Sequence, residues 1–274
     1  MINIKNLSFC YGSKKVLKNI SMELRPGTIY GLLGENGVGK TTLLTLLAGL
    51  KKPQEGTIDT DGRFPFDRQP SFLAEQFYLP DEVAPVNAKA EDFGKEYGAL
   101  WPTYDNLKFI TMLQELEVDQ KQNMASMSAG QLKKTWISFA LACGARHYFM
   151  DEPTNGLDIP SKSQFRKVIT RYTGEDSTIV ISTHQVRDLE DIIDPIIILD
   201  KEDVLLNASL EEISAKLFFD YGTQIHPESL YLENTPGGAI QVYPNTSGKE
   251  SKVNIEALFN AVHAHKDVIK AIFE

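Results

Sequence analysis

Cysteine is scarce: Cys10 and Cys143 are the two in 274 residues, far apart and outside any C-x-x-C unit. That excludes a disulfide framework and points to two buried, reduced thiols in a cytosolic protein. Also missing is any uninterrupted apolar run approaching the roughly 20 residues a bilayer-spanning helix needs. Any membrane business must therefore pass through another polypeptide. The opening Met1-Ile2-Asn3-Ile4 alternates apolar and polar like a strand and lacks a signal peptide's basic and apolar regions. Positive charge is not in excess, with 28 Lys and Arg against 37 Asp and Glu and a net charge of −9. No basic surface dominates, so no nucleic-acid partner is expected. Neither an internal repeat nor a low-complexity tract is present. What remains is ordinary globular material, 42% hydrophobic and 24% charged, long enough for one sizeable core or a main domain with an appendage.

The pattern along the chain predicts an α/β fold. Ile2, Ile4, Leu7 and Phe9, then Val16, Ile20, Met22 and Leu24, carry the period-2 spacing of paired strands. Arg25-Pro26-Gly27 reads as a turn, and Asp61-Gly62 as a hairpin turn. Thr28 to Leu33 is a short apolar strand running into a Gly-rich loop, followed by helical character over Thr41 to Leu50. From about Pro80 to Met127 the pattern turns helical, with Asp105 capping a helix that presents Leu107, Ile110, Leu113 and Leu116. Tyr148–Met150, Thr178–Ser182 and Ile196–Leu199 are buried-strand candidates, with helices beginning near Ser161 and Gln185 between them. This alternation predicts a mainly parallel sheet with phosphate chemistry at the strand carboxyl ends. Ser209 and Glu212 make a capping box. Beyond Asp220 the chain becomes strand-like, and a last amphipathic helix carries Ile255, Leu258, Phe259, Val262, Ile269 and Phe273.

Gly34-Glu35-Asn36-Gly37-Val38-Gly39-Lys40-Thr41-Thr42 fits the G-x-x-x-x-G-K-[ST] phosphate loop. Its glycines let the backbone wrap an anion with N–H groups turned inward, and the following helix adds its positive end. Lys40 reaches the β- and γ-phosphates, and the Thr41 hydroxyl completes a Mg²⁺ shell. The competing reading, a Gly-rich turn before a helix, does not account for the strand that precedes it. A phosphate loop alone says only "nucleotide".

Met127-Ser128-Ala129-Gly130-Gln131 precedes Tyr148-Phe149-Met150-Asp151-Glu152-Pro153-Thr154-Asn155-Gly156-Leu157-Asp158, and Ser182-Thr183-His184 ends the next strand. In that order the runs resemble the signature, Walker B strand, D-loop and switch histidine of the ATP-binding cassette (ABC) family. The resemblance covers roughly residues 1–217. Asp151 ends an apolar strand, so its carboxylate faces the phosphate loop and can hold Mg²⁺. Glu152 can polarise the attacking water, with His184 holding the γ-phosphate and water in line. Resemblance assigns Gln76 to the Q-loop as a catalytic and metal contact, with Gln69 nearby, and Tyr11, with Val16, to the nucleotide base.

Ser128 is placed to cap the helix that begins at Ala129. In the family, Ser128, Ala129, Gly130 and Gln131 would bind the γ-phosphate of ATP held on an opposite subunit, with Asp158 across the interface. Ala129 departs from the signature's first Gly. The resemblance implies a P-loop NTPase cassette with an antiparallel β subdomain, a mainly parallel core sheet and a helical subdomain at about 80–140. Residues 1–217 would be the ATPase domain and 218–274 a small α+β C-terminal extension. ATP and Mg²⁺ are the implied cofactors. The partners are a second copy or homologous cassette and a separate transmembrane permease, reached through an insert where Phe93, Tyr97, Trp101 and Tyr104 are candidate contacts. The expected place is cytoplasmic, on the inner face of the membrane, driving transport of an export type like bacitracin or multidrug cassettes. A soluble ABC ATPase of an assembly complex, such as iron–sulfur cluster biogenesis, is the alternative.

Overall fold

The computed structural model describes residues 1–201 and 203–273. Strands β1 (Ile2–Tyr11) and β2 (Lys14–Leu24) pair antiparallel, and β3 (Thr28–Leu33) leads through the Gly-rich loop into α1 (Lys40–Leu47). Strand β4 (Glu55–Thr60) takes the free edge of β1, completing an antiparallel sheet of order β2-β1-β4. Asp61 and Gly62 then turn the chain with φ of 50° and 80°, as the mirror-image hairpin turns require. Helix α2 (Pro70–Leu73) and strand β5 (Gln76–Leu79) precede a helical layer of α3 (Ala90–Gly98), α4 (Asn106–Glu115) and α5 (Ala129–Ala142). The β-α alternation follows as β6 (His147–Asp151), α6 (Ile159–Tyr172), β7 (Thr178–Thr183) and β8 (Ile196–Asp200). Strand β9 (Asp203–Ala208) and helix α7 (Leu210–Lys216) lead to β10 (Leu217–Gly222), β11 (Tyr231–Thr235) and β12 (Gly238–Pro244), and the chain ends in α8 (Ile255–Ala264) and α9 (Lys266–Phe273).

The central sheet has order β5-β6-β7-β3-β8-β9 and is parallel except for β9. Both its faces are covered, so its strands are continuous apolar runs rather than alternating ones. Alternate residues go to different cores. Phe149, Val180, Ile197 and Leu199 pack with α1 and the antiparallel sheet. Tyr148, Met150, Ile179, Ile181, Ile196 and Ile198 pack with α5 and α6. This second core continues without a break into Leu217, Val242, Leu258 and Val262 of the last segment. Because β3, β6 and β7 run in register, with Leu33 beside Thr183 and Asp151 beside Ser182, their carboxyl ends open on one edge.

Three expectations about elements change. Helix α4 buries Phe109, Met112, Leu113 and Leu116, while Leu107 is 75% exposed. Two apolar stripes overlap on this helix, and the one with the larger ring wins because Phe109 meets Tyr104 and Phe139 edge to face or tilted. No α-helix starts at Gln185; Val186–Asp188 is a single 3₁₀ turn. There the Asp188 carbonyl is taken by Arg166, and the Asp194 N–H by the Ile29 carbonyl, so tertiary bonds replace a helical ladder. The last helix is two, broken at His265. Lys266 and Lys270 of α9 are bound to Asp200 and Asp203 around the β8–β9 turn, which sets α9 on a new axis. Of the aromatics in the helical layer, Phe93 is fully buried and Trp101 donates to the Gln76 carbonyl, so Tyr97 alone of the four is exposed.

Candidate nucleotide site

The carboxyl edge of the sheet carries a cleft of about 330 Å³ lined by Tyr11, Val16, Asn36, Gly37, Gly39, Lys40, Thr41, Thr42, Asp151 and Glu152. Each of these residues is expected there from the sequence. Lys14 and Asp81 also line it and are not.

The loop is shaped by its glycines. Gly37 has φ +83° and Gly39 φ +116°, backbone that L side chains resist. A Cβ on Gly39 would meet Val16 Cγ1 at 2.9 Å and Leu17 Cδ2 at 3.0 Å. Lys40 folds back into the loop, its ammonium donating to the Gly34 carbonyl at 2.6 Å and the Glu35 carbonyl at 3.2 Å. Burial pulls the Lys40 pKa below its usual 10.5, and the charges of Glu152 and Asp151 oppose that pull. Val38 is buried against the loop rather than open to the cleft. Tyr11 is 46% exposed at the cleft mouth. Its ring packs edge-on against Phe9 and its hydroxyl lies 3.4 Å from Thr42 Oγ1.

The acidic side is built by β6 and β7. The Thr41 hydroxyl donates to Asp151 Oδ2 at 2.6 Å, and the Ser182 hydroxyl donates to Asp151 Oδ1. Glu152 turns the backbone into the left-handed region at φ 45°, a conformation costing about 1 kcal/mol or more outside glycine. Its N–H is held by the Ser182 carbonyl and hydroxyl, both at 3.1 Å. Glu152 Oε1 lies 2.8 Å from His184 Nδ1, and Oε2 accepts the His184 N–H at 3.3 Å. Carboxylate and imidazole are thus locked together at the ends of neighbouring strands.

Thr41 and Asp151 offer oxygen donors of the kind Mg²⁺ prefers, and no group of three or more acidic, His or Cys side chains among the described residues could hold a metal alone. The donor set fits a cation that shares its shell with phosphate oxygens and water.

Gln76 does not reach this edge. It pairs with His147 at the amino end of β6, four residues before Asp151, which is about 13 Å of strand. Its Nε2 donates to the Ala48 carbonyl, and its Oε1 is buried without a partner. Both its catalytic and its metal assignment are corrected by this placement. Asp81 emerges at the right place, because Pro80 follows the last residue of β5 and the chain leaves the sheet there. The rule that locates Asp151, a polar residue just past an apolar strand, would have found it.

Ser128, Ala129, Gly130 and Gln131 sit at the N-terminus of α5, and none lines the cleft. Ser128 Oγ accepts from the Gln131 N–H at 3.2 Å while Gln131 Oε1 accepts from the Ser128 N–H at 3.0 Å, a reciprocal capping box. Ala129 is exposed, so its methyl stands on an open face. Asp158 is exposed and caps α6 by accepting the Ser161 N–H at 2.9 Å, and hydrogen bonding from the Ser161 side chain first, then from its N–H, holds its carboxyl below the usual range.

Comparison with known proteins places this geometry. The model of the ABC transporter family matches residues 17–155. An uncharacterized ABC transporter ATP-binding protein of Methanocaldococcus jannaschii is 31% identical over 242 residues, covering 85% of this chain and 88% of its own. The SkfA peptide export ATP-binding protein SkfE of Bacillus subtilis is 30% identical, with 73% and 85% covered. The cobalt import ATP-binding protein CbiO of Salmonella typhimurium is 27% identical, with 78% and 83% covered. Among solved structures, an ATP-binding subunit of an ABC transporter superposes with a TM-score of 0.71 at 23% identity, covering 78% of this chain and 91% of that one. A dimeric cassette in a post-hydrolysis state bound to ADP and Pi superposes with a TM-score of 0.67 at 20% identity, with 77% and 99% covered.

Proposed function

The chain belongs to the ABC transporter family as an ATP-binding, ATP-hydrolysing subunit, and from that membership we propose that it works as half of a two-subunit ATP site coupled to a membrane permease. The cleft that gathers Lys40, Thr41, Asp151 and Glu152 carries this reading. Loop amides and Lys40 bind the phosphates, and Glu152, fixed by His184, takes the proton of the attacking water. Bound Mg²⁺, held from Thr41 and Asp151, supplies charge neutralisation of the phosphates. Ser128–Gln131 serve the ATP of a second copy or a homologous cassette, which accounts for a capped, exposed helix end that this chain's own cleft leaves unused.

No helix among the described residues is long and apolar enough to cross a membrane. Following the transporter ATP-binding relatives, coupling in this proposal runs through a separate permease, with this subunit on the inner face of the membrane and Tyr97 and Leu100, exposed beside the helical layer, as its contacts. Export is the direction we favour, following peptide-export and lantibiotic-transport relatives.

Glu152→Gln tests the reading. Removing a general base costs about 10²- to 10⁴-fold in rate, or about 2.7–5.5 kcal/mol. The variant should bind ATP, release phosphate slowly and accumulate as a dimer on size exclusion. A monomer at saturating ATP, or unimpaired phosphate release, would sink it.

A further inference from the structure

Among the described residues, Lys133 is the most deeply buried ammonium outside the phosphate loop. It sits one turn into α5, with its side chain 6% exposed. Its Nζ donates to the Asp81 carbonyl and, at 3.4 Å, to the Glu152 carbonyl, with Asp81 Oδ1 3.6 Å away. Asn155 adds a second hold on the Asp81 carboxylate, donating from Nδ2 at 3.1 Å. One ammonium therefore joins three segments: the exit of β5, the exit of β6 and the helix whose N-terminus carries Ser128.

Burying a lysine charge is costly, and a methionine or leucine would pack at lower cost if only filling were needed. The ammonium goes where it constrains chemistry. At φ 45° the Glu152 peptide is strained, and it stays in place because both its ends are bound. Ser182 holds its N–H, and Lys133 holds its carbonyl. The direction of the Glu152 carboxylate follows from that backbone. Asp81, the second partner of Lys133, lines the same cleft as Lys40 and Asp151.

We propose that Lys133 is a positioning residue for ATP hydrolysis, its ammonium clamping the Glu152 carbonyl and Asp81 to the helix that begins at Ser128. Catalytic carboxylate and partner-facing helix end are then one rigid body within a subunit. This rests on Glu152 being the general base.

Lys133→Met removes the charge and keeps the length. Misplacing a catalytic group by about 1 Å costs about 10²-fold, so kcat should fall about 10- to 100-fold. The KM for ATP should stay within about twofold, because the phosphate loop is untouched. Adding Asp81→Asn to Lys133→Met should cost less than Asp81→Asn does alone, since paired groups are non-additive. A merely structural lysine would lower stability and leave kcat of the folded variant unchanged; the coupling to Asp81 reports only that the two groups are paired. If thermal melting shows that Lys133→Met does not fold, Lys133→Gln, a shorter neutral donor, takes its place with the same expectation. Wild-type kcat in the folded variant, or a tenfold rise in KM with kcat unchanged, overturns the proposal. Measuring Glu152→Gln alongside separates the two readings. If that variant still hydrolyses ATP, the general-base assignment fails whatever Lys133 does.

Discussion

Replacing Gly39 by alanine should disable nucleotide binding before it disables folding, and the cost can be worked from the loop. Gly39 sits at φ +116°, ψ 9° as the residue before α1. Holding alanine there costs about 1–3 kcal/mol of backbone strain. The new methyl would also lie 2.9 Å from Val16 Cγ1, 3.0 Å from Leu17 Cδ2 and 3.3 Å from the Val16 carbonyl, which adds about 1–3 kcal/mol of overpacking. Without nucleotide the loop can relax by shifting, but an ATP phosphate re-imposes the wrapped shape. The strain then reappears in the dissociation constant. A cost of about 2 kcal/mol, at about 1.4 kcal/mol per tenfold, weakens binding about 30-fold. Gly37→Ala is the control: its φ is +83°, but nothing lies within 4 Å of the added Cβ. It carries strain alone, so the difference between the variants isolates the contacts with Val16 and Leu17. Calorimetric titration with ATP measures both. Wild-type affinity in Gly39→Ala, or a larger loss in Gly37→Ala, would refute the reasoning.

Two further outcomes concern stability. Burial pushes the His147 imidazole below its usual 6.5 although Asp61 Oδ2, 3.1 Å away, pulls it back up. The unfolded chain therefore takes up a proton first, and this group's contribution is full above about pH 6.5 and is lost as pH falls below it. In urea melts at about pH 7.5 and about pH 5.5, on either side of that value, His147→Gln should lose less stability on acidification than the parent; equal losses would remove His147 from the account. Leu258 of α8 is fully buried in the larger core, so Leu258→Ala should cost about 2–5 kcal/mol and lower Tm by roughly 5–15 °C. An unchanged Tm would mean that α8 is not part of that core in solution.

Periodicity and local chemistry made part of the molecule legible in its sequence. The apolar runs ending at Leu33, Met150 and Thr183 are strands because both faces are buried, and the polar residues after them land on one edge because the strands are parallel and in register. The caps at Asp105, Ser128 and Ser209 were legible because a side chain bonds within three residues of itself. Gln76 failed for a different reason: a matching residue type does not say at which end of its strand it lies. Leu107 and Phe109 offered α4 two faces, and only the rings of other elements decide between them. The break at His265 has no local sign, since Val262 and Ile269 remain one heptad apart across it, and the ion pairs that turn α9 come from the β8–β9 turn.

The proposed division of labour between two subunits is supported by what each end of this chain has in surplus. The cleft has the phosphate-binding Lys40 and the cation donors Thr41 and Asp151 on the β3 and β6 side, and its mouth is open. Helix α5 has the converse: a 14-residue helix whose first turn contains no acidic residue and whose cap, Ser128, is exposed. Its partial positive charge is uncompensated, and an anion at that end gains about 0.3–1 kcal/mol from it, more when water is excluded. The cap geometry leaves a donor available. Ser128 Oγ accepts the Gln131 N–H, so its own proton is free to point outward. Gly130 lies near the Gly156 carbonyl, where a Cβ would come within 3.6 Å, so this helix end and the loop leading to Asp158 form one surface. A phosphate bound in one copy needs donors opposite the loop, and the other copy has them spare. On the proposed reading that complementarity is self-consistent only head to tail, which would make a dimer with two sites the smallest closed object. Ala129 bears on it directly: its exposed methyl stands on the face where a second copy would arrive, so closure would have to accommodate it.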